Sequence, residues 1–125
     1  MRNVITTDKA PKPVGPYSQA VIEGETIYVA GQGPGNPATG QLEMGDAASQ
    51  TRWVLDNMKA ILEAAGSSLD KVLRCNVYLR DINDFAAMNA VYATYFSAPF
   101  PARTTIQAGA LPGGISVEID CIARR

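Results

Sequence analysis

The sequence predicts an α+β domain, with two helices packed on one face of a mostly antiparallel sheet. Two observations carry this. Two stretches repeat apolar residues every three to four positions, while the remaining regular stretches alternate apolar and polar residues. These patterns follow one another in the order β-β-α-β-α-β-β, with turn residues between them. At 125 residues the chain is expected to form a single domain, 1–125, with a core large enough to need neither disulfide nor metal.

The first residues, through "KPVGP", read as extended and rich in turns. "SQAVIE" and "TIYVAGQ" flank Gly24-Glu25 and form a hairpin. The loop "GPGNPATGQLEMG" follows, where glycine and proline interrupt regular structure. Asp46 caps the first helix, whose stripe is Thr51, Val54, Leu55, Met58, Ile61, Leu62 and Ala65, and Gly66 is placed to end it. In "KVLRCNVYLR", Leu73, Cys75, Val77 and Leu79 point one way, and Arg74, Asn76 and Tyr78 the other. Asp81 or Asn83 caps the second helix, with the stripe Phe85, Met88, Asn89, Tyr92, Tyr95 and Phe96 read as core; Pro99 and Pro101 stop it. "ARTTIQAGA" and "ISVEIDCIA" surround "LPGG" and read as a closing hairpin.

The helices cover one face only. Ile27, Val29, Leu73, Cys75, Val77, Ile106, Ala108, Val117, Ile119 and Cys121 are expected beneath them. The other face would carry Thr26, Tyr28, Arg74, Asn76, Tyr78, Arg103, Thr105, Gln107, Glu118 and Asp120. That set is too polar for a core, and two readings of it stand: a wetted sheet face, or a polar interface between subunits.

Composition removes several function classes. Eleven Lys and Arg against twelve Asp and Glu leave a formal charge of −1, which argues against a nucleic-acid surface built on bulk charge. Without histidine there is no Ser/His/Asp triad, Cys/His dyad or His-based metal site. Cys75 and Cys121 lack metal or redox spacing and read as reduced core residues. The N-terminal stretch has no apolar signal core and nothing approaches membrane-spanning length, so a cytoplasmic location is expected. The glycines of "GQGPGNPATG" neither open a helix nor precede a lysine, so the run reads as a structured loop rather than a phosphate loop.

Arg103 opens a strand in "PFPARTTIQ", where a guanidinium must face water, a carboxylate or a ligand. In the hairpin register, Gln107 falls near Glu118, with Arg103 two pairs along the same face. The pair then either decorates the sheet as an ion pair, or serves as a bidentate carboxylate grip beside a water-holding acid. Tyr17, in "GPYSQA", is either a packing aromatic or a pocket lid.

"GPYSQA", "VAGQGPGNPATG", "LRCNVYLRDINDFAAMNAVYATYF", "PFPARTTIQ" and "LPGGISVEIDCIA" together resemble the reactive intermediate deaminase (Rid, RidA/YjgF-like) family, essentially end to end. The resemblance implies a chorismate-mutase-like fold assembled as a homotrimer with clefts between subunits. It implies hydrolysis of reactive 2-imino or enamine acids, such as 2-iminopropanoate and 2-iminobutanoate, to 2-oxo acids and ammonia, with no metal or organic cofactor. By motif position Arg103 grips the substrate carboxylate, Glu118 positions the hydrolytic water and Tyr17 closes the cleft. Gly31 lines the pocket, and Asn89 lies in the matching helical segment. Two positions depart from the deaminase pattern: Ala30 stands where serine is common, removing a hydroxyl, and Thr105 where cysteine is common, keeping a polar atom of different shape. A non-catalytic, carboxylate-binding or regulatory trimer is the alternative reading, and nucleic-acid action is disfavoured.

Overall fold

The computed structural model describes residues 1–125. Its elements are β1 (Asn3–Ile5), β2 (Ala20–Glu23), β3 (Thr26–Gln32), α1 (Ala47–Ala64), β4 (Val72–Leu79), α2 (Phe85–Tyr95), β5 (Ala102–Gln107) and β6 (Val117–Arg124). They build one six-stranded sheet in the order β1-β2-β3-β6-β4-β5.

Both helices form where the apolar stripes place them. The Asp46 side chain accepts the Ser49 N–H at the start of α1, satisfying one orphan donor. Gly66 follows its last turn at φ 78°, a conformation that other residues adopt at a cost. Val54, Leu55, Met58, Ile61 and Leu62 are fully buried, each contributing roughly 1.5–3 kcal/mol of transfer free energy. Asp81 opens the approach to α2 by accepting the Asn83 N–H. Met88, Val91 and Tyr92 of that helix are buried, whereas Phe85, expected in the core, is exposed.

The first hairpin is as expected, with Glu23 paired to Thr26 around Gly24-Glu25. The short β1, paired with β2, is an additional strand that its three residues gave no pattern to reveal.

The closing hairpin does not form. β6 inserts between β3 and β4, antiparallel to both, and β5 pairs only with β4, in parallel. α2 supplies the crossover that a parallel pair requires. In this register Arg103 pairs with Cys75, Thr105 with Val77 and Gln107 with Leu79. All three therefore lie on the helix face, not on the polar face expected for them. Ile106 is correspondingly turned outward and 48% exposed instead of entering the core.

A register irregularity between Val72 and Arg74 also puts Val72 in the core and leaves Leu73 exposed. Cys75 and Cys121 are free, buried and directly paired across β4 and β6.

Three buried amides pin the irregular segments. Gln19 accepts the Thr7 N–H and donates to the Thr7, Ala10 and Pro11 carbonyls, tying down the N-terminal strap. Asn57 of α1 donates to the Gly33 and Gly35 carbonyls, and Gln50 accepts the Ser116 N–H just before β6. No helix is long and apolar enough to cross a membrane.

Candidate functional site

The residues singled out in the sequence fall into two groups on opposite faces of the sheet. The first gathers where β5 meets α2. Pro99, Phe100 and Pro101 deliver the chain into β5, and Arg103 projects toward α2. Its guanidinium carbon lies 4.8 Å from the centroid of the Tyr92 ring and 5.5 Å from that of Phe85. Stacking on ring faces holds the planar fork while leaving its N–H edge available for a carboxylate.

Asn89, Tyr92 and Ala93 of α2, with Phe100, Pro101 and Arg103, line a groove of about 340 Å³ beside it. Three buried polar atoms in this neighbourhood lack a hydrogen-bond partner: Asn89 Oδ1, Tyr92 OH and Thr105 Oγ1. Buried polar atoms are normally paired, so three together mark a place built to meet another polar group. The Tyr92 hydroxyl lies near the Cys75 thiol without ordinary hydrogen-bond geometry. Burial pushes both groups upward, the thiol to about 11, so neither ionises near neutral pH.

The second group lies on the open face. Glu118 of β6 is paired with Tyr78 of β4, and its carboxyl packs against Gly31 of β3, next to the irregularity between Val29 and Gln32. A Cβ at residue 31 would stand 3.0 Å from Glu118 Cδ, so the glycine is what gives the carboxyl its place. Partial burial raises the Glu118 pKa above the ordinary glutamate value, and the neighbouring Asp120 carboxylate adds to the rise. Asp120 itself accepts hydrogen bonds from Asn76 Nδ2 at 2.8 Å and Tyr78 OH at 2.9 Å.

Ala30 donates its N–H to the Gln19 carbonyl, which brings the segment carrying Tyr17 alongside this group. Tyr17 is itself exposed, its hydroxyl accepting the Val14 N–H, so it is not a core aromatic.

The structure thus brings Arg103, Asn89 and Thr105 together, and separately Glu118, Gly31 and Ala30. It does not bring Arg103 to Glu118, and the side-by-side geometry expected from a hairpin is corrected. Gln107, expected near Glu118, instead accepts the Ile82 N–H at the approach to α2. Tyr92 went unnoticed as a support for Arg103 because its stripe reads as ordinary core. No group of three or more Cys, Asp or Glu side chains is arranged to hold a metal ion.

Comparison with known proteins gives this arrangement a context. The family model described as Endoribonuclease L-PSP matches residues 7–125. A RutC family protein of Pyrococcus horikoshii is 53% identical over 123 residues, 98% of each chain. The 2-iminobutanoate/2-iminopropanoate deaminase of Homo sapiens is 46% identical over 98% of this chain and 90% of its own.

Among solved structures, RidA from an Antarctic Psychrobacter superposes with a TM-score of 0.95 at 48% identity, covering 99% of this chain and 100% of its own. Escherichia coli TdcF with bound serine gives 0.94 at 39% identity, covering 98% of each chain. The fold is the chorismate-mutase-like one shared by these proteins. With a family model spanning nearly the whole sequence and relatives near half identity, the chain belongs to the RidA/YjgF (L-PSP) family.

Proposed function

We propose that the protein hydrolyses 2-imino acids to 2-oxo acids and ammonia, in clefts between subunits of a homotrimer. The observation that carries this is the Arg103 guanidinium, held on two ring faces beside a groove and making no ion pair within its own chain. Such a fork fits a carboxylate through two parallel bonds. Because Arg103 and Glu118 leave the sheet on opposite faces, a complete site needs Arg103 from one copy and Glu118 from another.

In this cleft Arg103 fixes the carboxylate, and with it the adjacent imine carbon. Glu118 of the second copy accepts a proton as water adds to the C=N carbon. The carbinolamine collapses: the C–N bond breaks, the proton passes to the departing nitrogen, and the carbonyl forms. Protonated imine plus water yields 2-oxo acid plus ammonium, without a redox step. Orientation supplies much of the rate enhancement for such an addition. The raised pKa of Glu118, from partial burial and the neighbouring Asp120, makes its carboxylate a better proton acceptor.

The test couples the protein to a serine or threonine dehydratase and traps free imine with semicarbazide. Wild type should lower trapping, whereas Arg103→Ala and Glu118→Gln alone should not. Mixing the two variants under subunit exchange should restore activity, because some clefts then combine both native side chains. Equal trapping with and without the wild-type protein defeats the enzymatic reading, and absence of rescue on mixing defeats the shared cleft.

One observation favours the binding-only alternative. Ala30 has no side-chain hydroxyl, and its N–H and carbonyl are already bonded to the Gln19 carbonyl and Gln32 Nε2. That reading predicts thermal stabilisation by 2-oxo acids, lost in Arg103→Ala, with no turnover.

A further inference from the structure

We propose that the groove beside Arg103 receives the substrate's side chain and selects 2-imino acids with branched aliphatic or aromatic side chains over those with a methyl or ethyl group. The proposal rests on the reading of Arg103 as the carboxylate anchor and adds the chemistry of the remainder of the ligand.

Size is the first reason. The groove holds about 340 Å³. A methyl group occupies a volume comparable to one water's share of the liquid, roughly 30 Å³. On the single chain, a substrate ending in methyl or ethyl would leave most of this groove without contact.

The walls are the second reason. Apart from Asn89 and Arg103, the lining is the Tyr92 ring, the Ala93 methyl, the Phe100 ring and the Pro101 ring. Phe100 is 57% exposed yet stands between two prolines, which restrict its backbone. A large aromatic presented in this way gains most from a ligand that covers it.

The third reason is the placement of the polar groups. Arg103 sits among apolar walls with Asn89, whose Oδ1 is buried without a partner. An apolar cavity with a few convergent polar groups suits a small amphipathic ligand. The carboxylate meets the guanidinium, and the side chain lies along the rings.

The experiment generates imino acids in place with an L-amino-acid oxidase acting on alanine, leucine or phenylalanine. It reads the loss of semicarbazone as the protein is added. In parallel, thermal shifts are measured with pyruvate, 4-methyl-2-oxopentanoate and phenylpyruvate. Each fully buried methylene is worth about fourfold, so partial burial predicts a kcat/KM for the leucine-derived imine roughly tenfold above the alanine-derived one.

Ala93→Leu fills the groove from an exposed helical position, and Phe100→Ala removes a wall. Each should reduce the leucine-to-alanine ratio at least threefold. The thermal-shift preference for 4-methyl-2-oxopentanoate over pyruvate should shrink in parallel.

A wild-type ratio near one, or one unmoved by both variants, overturns the proposal. So does a change in assembly mass in Ala93→Leu with the ratio unaltered, which would make the groove a contact between copies. If no imine is turned over, the deaminase reading fails separately, and the 2-oxo acid preference in the thermal shifts still decides the fate of the groove.

Discussion

Adding one methyl group at Gly31 probes the seat of the Glu118 carboxyl with little disturbance elsewhere. Gly31 does not adopt a positive φ, so alanine meets no backbone strain there. Its new Cβ would stand 3.0 Å from Glu118 Cδ and 3.3 Å from Cγ. Carbon atoms pack comfortably at about 3.5–4.0 Å, so the carboxyl must withdraw by roughly 0.5–1 Å. The obstacle is the end of a flexible side chain, and an off-rotamer adjustment costs about 0.5–1.5 kcal/mol. For a chain of this size that lowers Tm by roughly 2–6 °C.

The catalytic effect should be much larger. Misplacing a reacting group by about 1 Å can cost roughly a hundredfold, so kcat for Gly31→Ala should fall by one to two orders of magnitude. KM should change less, because in the proposed cleft the carboxylate grip is that of Arg103, on the other face of the sheet. The dehydratase-coupled assay reads kcat and KM, and calorimetry reads Tm. A variant that keeps kcat within twofold of wild type, with Tm lowered as expected, would refute the reasoning that places Glu118 at the reaction.

Glu118→Gln should abolish turnover yet raise Tm at pH 7. The raised pKa means that folding opposes ionisation of this side chain, so the ionised form costs stability at neutral pH. The difference from Gln should vanish below about pH 4, where glutamate is largely protonated even in the unfolded chain. In wild type the acidic limb of the kcat profile should lie above the ordinary glutamate range, and Asp120→Asn should move it downward. Tyr92→Leu should raise KM roughly two- to thirtyfold by removing the ring beneath Arg103, and Tyr92→Phe should restore it. Asn57→Ala should cost about 1–3 kcal/mol, read by denaturant unfolding, because the Gly33 and Gly35 carbonyls lose their donor.

Local signals were legible where the physics is local. The Asp46 cap, the stripe from Thr51 to Leu62, the turn at Gly24-Glu25 and the end at Gly66 each depend on residues within a few positions of one another. The identity of Arg103 and Glu118 as candidates was legible too, through the motifs that surround them. Tyr92 and Phe85 as supports for Arg103 were not, since their contacts arise only after α2 crosses over to lie against β5.

By itself the sequence determined the class of the domain, the two helices, nearly every strand and the family. Beyond the first hairpin, which strand lies beside which was decided only in three dimensions. A turn such as "LPGG" permits a hairpin but does not oblige one, and a strand settles where its apolar side is best covered. The buried alternation of Val117, Ile119, Cys121 and Ala123 suits the middle of the sheet, whereas β5, with Ile106 turned outward, suits an edge. Once β5 pairs in parallel with β4, strand parity turns Arg103 toward α2 and leaves Glu118 on the open face. That single topological fact divides the candidate site between the two sides of the sheet.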